Sequence, residues 1–388
     1  MPPPSVYSAF AVTAPGLAPL AVRELAALGL TPGAPEAGGV SFATDVGGLY
    51  TANLQLRTVS RVLVRVDEFR AANFNELEKR TARLPWSDWI SPGRAVDLRV
   101  TCRKSRLYHS GAVAERVSKA LAGLTDRVGV AKEREGEDPN DDGDAQLVVV
   151  RLLNDRCTIS LDSSGALLHQ RGYRLAVAKA PLRETLGAAL LLATGWDPAT
   201  PLVDPFCGSG TIAIEGALLS RRIAPGGNRP FAFESWPGFN AGLWTAVRRE
   251  AVAQELPAAP APILASDRDA GAIDAARANA QRAGVAGDIT FVQGTVSALV
   301  PPMDIRGPGA VITNPPYGLR VSASGELRDL FARFGTVLRE RFPGWRVGVL
   351  AADRQLLGQM KLSLEARLGT SNGGISVGLS VGVVDGLS

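Results

Sequence analysis

The sequence predicts an α/β protein with an N-terminal α+β half and a C-terminal Rossmann-like half. Three observations lead there. From Leu167 onward, short apolar runs alternate with helical runs, as in "PLVD" then "TIAIEGALLS" and "PILASD" then "AGAIDAARANAQRAG". That alternation implies a parallel sheet covered on both faces. Before Leu167, strand-like stretches dominate and the helices are fewer. Finally, 388 residues exceed what one core normally holds and suit two or three domains. The expected divisions are 1–65, 66–163 and 164–388.

In the first division "SVYSAFAVT" reads as a strand, and "LAPLAVRELAALGL" has helical spacing that ends at Gly29. "GGVSFAT" is a second strand, followed by a helix around Leu49–Leu56 and the strand "RVLVRVDEF". This order suits a ferredoxin-like fold. In the second division "AVDLRVTCR" alternates like a strand and "SGAVAERVSKALAGL" is an amphipathic helix. "AQLVVVRLLNDRCTISLDSS" gives two strands around Asn154-Asp155. "EGEDPNDDGD" between them carries six acids and no base, and reads as a solvated loop. In the third division "ITFVQG", "GAVITN" and "WRVGVLAAD" continue the parallel strands, whose ligands belong beyond the C-terminal strand ends. The tail "TSNGGISVGLSVGVV" reads as a strand after a turn, at an antiparallel edge.

Composition excludes several classes. Apolar residues make up 46% and charged residues 21%, an ordinary balance for a folded chain. No apolar run approaches the ~20 residues of a membrane span, and "MPPPSVYSAFAVTAPG" has no basic flank before an apolar segment. The expectation is a cytoplasmic protein with no membrane contact. Cys102, Cys157 and Cys207 are too dispersed for a zinc site, and two histidines cannot complete one, so no metal is expected. Net charge is +4, but Arg94–Arg134 alone holds ten basic residues against four acids. That stretch, with Arg103, Lys104 and Arg106, fits either phosphate binding or a solvated helix face.

Two motifs carry chemistry. "PLVDPFCGSGTIAIEGALL" sets a glycine-rich turn, Pro205-Phe206-Cys207-Gly208-Ser209-Gly210, between a strand closed by Asp204 and a helix opened by Thr211. Gly208 and Gly210 let the backbone approach a ligand, and the helix N-terminus favours a carboxylate. The other reading is an ordinary strand–helix turn. A dinucleotide fingerprint would need a third glycine where Ile212 and Ala213 stand, and no Gly-Lys-Ser/Thr follows to cradle phosphates. The next strand ends in Asp267, an acid placed to accept both hydroxyls of a ribose. Together these suit S-adenosylmethionine. The gap between the two, Arg221–Pro260, is rich in Pro, Trp and Gly, and either contacts a ligand or covers the sheet.

The second motif is "VITNPPYGLR". Two prolines stop a strand abruptly and hold Asn314, Pro315, Pro316 and Tyr317 at its end. An exocyclic nucleobase amine is a poor nucleophile because its lone pair is delocalised into the ring. The Asn314 side-chain carbonyl and the Pro315 backbone carbonyl can accept its two N–H bonds and free that lone pair. Tyr317 can stack on an unpaired base. The plainer reading is a rigid turn that caps a strand.

With "DPFCGSGT", "TNPPYG" and "SLDSSGALLHQRGYRLAVAKAPLRETLGAALL" in view, the chain resembles the bacterial THUMP-domain RNA methyltransferases. It is most similar to those that make N2-methylguanosine in large-subunit ribosomal RNA. "TCRKSRLYHSGAVAERV" is similar to the family's THUMP helix region, and the likeness spans roughly residues 5–385. The resemblance implies a ferredoxin-like plus THUMP module that grips RNA, ahead of a Rossmann-like class I methyltransferase domain that uses S-adenosylmethionine. It assigns Asp204, Gly208, Gly210 and Asp267 to the cofactor, Asn314, Pro315 and Tyr317 to the base, and Thr185 to the methionine end. Arg171, Tyr173 and Arg174 would line an RNA or cofactor entrance, or else form structural ion pairs. Where such enzymes commonly carry an acid for the adenine amine, this chain has Thr295, with Gln293 nearby. The substrate implied is 23S rRNA, with tRNA as the alternative under the same chemistry. A noncatalytic RNA-binding assembly factor is the reading from another class.

Overall fold

A computed structural model describes residues 6–125, 127–130, 145–174, 182–303, 307–316 and 324–385. The chain divides into two compact units, neither of them a continuous piece of sequence. The first comprises residues 1–13, 21–168 and 229–249, and the second residues 14–20, 169–228 and 250–388.

The N-terminal elements are β1 (Tyr7–Thr13), α1 (Ala18–Ala27), β2 (Thr31–Glu36), β3 (Gly39–Thr44), α2 (Val46–Gln55) and β4 (Val59–Arg70). Their strand order, β2-β3-β1-β4, and βαββαβ succession make the expected ferredoxin-like arrangement. Asp45 caps α2 by accepting the Gly48 amide at 2.8 Å. Glu24 on α1 accepts the Arg57 and Thr58 amides at 2.7 and 3.0 Å and so fixes the entry to β4. The sequence reading has no counterpart to β2, because "TPGAPE" carries two prolines. On an edge strand the missing donors cost little.

Next come α3 (Phe74–Thr81), β5 (Val96–Arg103), α4 (Ser110–Leu121), β6 (Val128–Val130), β7 (Gln146–Leu153) and β8 (Arg156–Asp162). These strands continue the same sheet, whose eight-stranded order is β2-β3-β1-β4-β8-β7-β5-β6. The expected division at 65/66 therefore falls inside β4, which pairs with both β1 and β8. Asn154 and Asp155 turn β7 into β8 with φ of 53° and 62°, the left-handed geometry a tight hairpin requires. The acidic segment at 135–144 lies outside the described residues.

Residues 229–249 complete this unit. Arg229 is buried and donates to the backbone carbonyls of Leu167 (2.5 Å), Ser164 (3.1 Å) and Ala166. Phe233 stacks on Tyr50 of α2 at 4.4 Å, Trp244 meets the same ring edge-on, and the Trp236 indole donates to Gln146 at 2.8 Å. The aromatic half of the 221–260 stretch is thus core of the N-terminal unit.

The second unit contains α5 (Glu184–Thr194), β9 (Leu202–Asp204), α6 (Thr211–Ser220), β10 (Ile263–Asp267), α8 (Ala270–Arg282), β11 (Ile289–Gln293), β12 (Ala310–Thr313), α9 (Ser324–Arg341), β13 (Arg346–Ala351), α10 (Arg354–Gln359), β14 (Glu365–Asn372) and β15 (Ile375–Val383). Helix α7 (Ala241–Ala253) belongs mostly to the first unit. The sheet order is β11-β10-β9-β12-β13-β15-β14, parallel except for β15 against its two neighbours. Alternate residues of β9 and β12 feed opposite cores. Leu202, Ala310 and Ile312 pack with α5, α6 and α8, whereas Val203 and Val311 pack with α9 and α10. The tail adds a hairpin rather than a single edge strand, so β15 is interior and β14 forms the edge.

Candidate active site

The strand order reverses at β9, which lies between β10 and β12, so its C-terminal end is where a ligand crevice belongs. Both sequence motifs occupy that end. Asp204 closes β9 and the glycine-rich turn runs from there into α6. The turn is stitched to the tip of β10. The Cys207 amide donates to the Ser266 carbonyl at 3.0 Å, and the Gly208 amide to Asp267 Oδ2 at 3.0 Å. Asp267 Oδ1 accepts the Asp269 amide at 3.0 Å. Asn279 on α8, fully buried, donates to the Ser209 carbonyl at 3.0 Å and fixes the far side.

The two glycines serve different ends. Gly210 has φ +86°, and a Cβ there would stand 2.9 Å from Ala276 Cβ, so it lets α6 and α8 close together. Gly208 has φ +51° with nothing within 4 Å of the Cβ position, which leaves open space over the backbone. No side chain caps α6, whose first-turn amides and dipole favour an anionic group. Open room at Gly208, an uncapped helix start and a carboxylate at the next strand tip are what an amino-acid nucleoside cofactor requires.

Asp204 is 1% exposed. Its Oδ1 accepts the Thr313 hydroxyl at 2.6 Å and the Phe206 amide at 3.3 Å. Burial pushes its carboxyl up to about 7, against the lowering pull of those two donors. This bond ties the glycine-rich turn to the last residue of β12, and Asn314 comes next. The Asn314 Oδ1 atom is buried and has no hydrogen-bond donor among the described residues. Pro315 is buried, Pro316 is exposed, and Tyr317 lies outside the described residues.

Arg171 and Arg174 both form ion pairs. Arg171 is 3% exposed and lies 3.5 Å from Glu215, a carboxylate that also accepts the Tyr173 hydroxyl at 3.1 Å. A residue so enclosed cannot meet a polyanion. Arg174 pairs with Glu184 at 3.2 Å and donates to the Thr211 hydroxyl at 2.6 Å, and so braces the start of α6. Burial raises the Glu184 carboxyl to about 7, with the Arg174 charge opposing it.

The other expected residues fall as follows. Cys207 is buried and burial raises its thiol far above the ordinary value. Pro205 is buried, and Phe206 packs its ring edge-on against Phe334 at 5.3 Å, within the core behind the turn. Thr185 is buried in the first turn of α5. Thr295 is exposed after β11 and Gln293 reaches the Arg268 carbonyl at 3.5 Å. Arg103, Lys104 and Arg106 are exposed in the first unit, with Arg106 3.7 Å from Asp155. Thr313 and Asn279 were not anticipated. A lone amide on the Ala276–Ala280 face of α8 was the available signal for Asn279. Thr313 gave none, because threonine is at home in a strand. Among the described residues no cluster of metal-ligating side chains occurs, and no helix is long and apolar enough to cross a membrane.

Comparison with known proteins places these motifs. Residues 171–379 match the family model UPF0020, described as an RMKL-like methyltransferase domain, and residues 8–63 match the RlmL ferredoxin-like domain. Over 382 residues the chain is 36% identical to the "Putative RNA methyltransferase slr0064" of Synechocystis sp. (strain ATCC 27184 / PCC 6803 / Kazusa), covering 97% of each. The crystal structure of SMU.472, a protein titled a methyltransferase of "putative" standing and complexed with SAH, superposes with TM-score 0.84 at 28% identity over 99% of both chains. A "predicted N6-adenine-specific DNA methylase" from Listeria monocytogenes str. 4b F2365 superposes with TM-score 0.82 at 32% identity, over 98% of this chain and 97% of that one. The chain belongs to the RMKL-like methyltransferase family.

Proposed function

We propose that this methyltransferase uses S-adenosylmethionine to methylate the exocyclic N2 amine of a guanosine in RNA, with 23S rRNA as the substrate. The observation that carries the reading is the Asn314 side-chain carbonyl at the tip of β12, a buried acceptor without a donor among the described residues. Leaving such an acceptor unmet costs about 1–3 kcal/mol, and a substrate N–H would satisfy it. Bound there, S-adenosylmethionine supplies an electrophilic methyl group on a sulfonium. The chain's own task is positioning. Asn314 Oδ1 and the Pro315 carbonyl accept the two amine N–H bonds, and Tyr317 stacks on the base. The open backbone at Gly208, the uncapped start of α6, Thr185 and Asp267 hold the cofactor. Thr295 stands where an acid would bind the adenine amine.

RNA as substrate is supported by the RNA methyltransferase relative in Synechocystis and by the exposed Arg103, Lys104 and Arg106, beside which Tyr108 is 71% exposed. We assign residues 66–163 to a THUMP module on the resemblance of residues 101–117 to that module's helix region. A second reading, adenine N6, is favoured by the likeness to the "predicted N6-adenine-specific DNA methylase" of Listeria and uses the same asparagine carbonyl.

The test is transfer of labelled methyl from S-adenosylmethionine to RNA from cells lacking this gene. 23S rRNA is then separated from tRNA and each is digested to nucleosides. N2-methylguanosine in 23S rRNA is the expected product. The same nucleoside in tRNA moves the substrate but keeps the chemistry, and N6-methyladenosine favours the second reading. Absence of label despite cofactor binding leaves a noncatalytic RNA-binding protein. Asn314→Ala is expected to lower the transfer rate by at least about 100-fold, as loss of a key transition-state contact does. The cofactor dissociation constant, measured by calorimetry, should stay within about threefold.

A further inference from the structure

The sheet of the N-terminal unit has one face on which basic side chains from separate strands converge, and this grouping is invisible in the linear sequence. Arg65 on β4, Arg151 on β7 and Arg103 on β5 line a single open concavity of about 410 Å³. Its floor includes Phe10, Leu63 and Val149, and among the described residues no acidic side chain lines it. Register explains the convergence. Arg65 faces Ser160 across the β4–β8 pair, Val149 faces Ser160 across β7–β8, and Arg151 faces both Thr158 on β8 and Thr101 on β5. With neighbouring strands ~4.8 Å apart and a rise of ~3.3 Å per residue, Arg65 and Arg151, two strands apart and two residues out of register, are separated by ~12 Å at their backbones. Arg103 lies one strand further and leads into the exposed loop of Lys104, Arg106 and Tyr108.

Among the described residues the only acidic partner of these guanidinium groups is Glu36, beside Arg65. Arg65 lies over the Phe10 ring at 4.7 Å, and its pair with Glu36 is 3.6 Å long with both side chains partly exposed. Such an exposed pair is worth at most about 1 kcal/mol. Holding three like charges on one apolar-floored face costs solvation and repulsion, relieved in part by Glu36 beside Arg65 and by Glu68, which accepts the Thr158 hydroxyl. A polyanion that crosses the strands removes the repulsion that remains, and the Ser160 hydroxyl stands between the arginines to donate to a phosphate oxygen.

We propose that this sheet face binds an unpaired RNA segment by its phosphodiester backbone, with Arg65, Arg151 and Arg103 as the phosphate contacts. The inference rests on the reading of the substrate as RNA and names the surface that grips it. Arg103 was already a candidate from its basic neighbourhood, whereas Arg65 and Arg151 come from the fold alone.

The experiment measures fluorescence anisotropy of a short fluorescein-labelled single-stranded RNA against the full chain over a range of salt. It compares Arg65→Gln/Arg103→Gln/Arg151→Gln, the triple lysine variant, and Arg23→Gln on the exposed side of α1. Each phosphate contact contributes about 0.7 to the log–log salt slope for single strands, so the glutamine triple should flatten it by about 2 and weaken binding ~100-fold at 0.1 M salt. The lysine triple should keep most of the slope and Arg23→Gln all of it, with thermal melting points of every variant unchanged. Wild-type slope in the glutamine triple overturns the proposed surface and leaves RNA as substrate standing. A lysine triple as weak as the glutamine triple also overturns it, since charge would not then be what matters. Failure of the unaltered chain both to bind RNA and to methylate it overturns the RNA reading itself, and this inference with it.

Discussion

Asp204 is a residue whose proton matters. Its folded pKa, about 7, lies above the ordinary 3.8, so the folded state holds that proton more tightly than the unfolded chain does. The stability linked to it is complete below about pH 4 and is lost as pH rises through about 7, on the order of 4 kcal/mol in all. The ligand-free protein should therefore show falling urea midpoints across that window. Asp204→Asn retains an acceptor for the Thr313 hydroxyl and should flatten this share of the decline. Glu184, pushed up to about 7 from 4.5, produces a decline of the same sign, which Glu184→Gln should remove separately. An unaltered pH profile in Asp204→Asn would show that the carboxyl is not the group that titrates. The Asp204–Thr313 bond also gives a reason why the two motifs act as one site: a donor on β12 is held by an acceptor on β9.

At the scale of elements, the turn between β9 and α6 separates two demands that one glycine-rich string encodes together. Gly210→Ala meets both a positive φ and the Ala276 methyl, and should cost about 2–4 kcal/mol in denaturant unfolding. Gly208→Ala meets only the backbone penalty of about 1–2 kcal/mol, yet places a methyl where we propose that the cofactor approaches. It should weaken cofactor binding out of proportion to its effect on stability, as calorimetry with S-adenosylhomocysteine can read. Equal effects on binding from the two would argue that Gly208 does not face the ligand. Most strands were legible because apolar runs ended in turn residues, and β12 was clearest because Pro315 and Pro316 stop it. β2 was hidden by its prolines. The first arm of the tail hairpin, "EARLGTSN", was hidden because its side chains are mostly exposed and carry no apolar alternation. The glycine-rich turn could be read from residues close in sequence, whereas Asn279 and Thr313 required knowledge of which helix and strand lie beside it.

At the scale of the whole molecule, the chain passes between its units after Thr13, Leu20, Leu168, Asn228 and Arg249. Trp236 shows what this demands. It is 8% exposed, donates to Gln146 and meets Trp89 edge-on at 5.2 Å. Trp236→Ala should cost about 3–5 kcal/mol and speed amide exchange in β7, some 90 residues earlier in the chain. Unchanged exchange in β7 would mean that residues 229–249 are a surface addition rather than core. The same threading has a consequence during synthesis. Leu168 leaves the ribosome 81 residues before Arg249, the difference between 249 and 168. At ~5–20 residues per second, the first unit waits roughly 4–16 s with Tyr50 and Gln146 uncovered. An N-terminal sheet that is translated first is thus finished late, and a nascent chain of this kind depends on something to shield it until its own later sequence arrives.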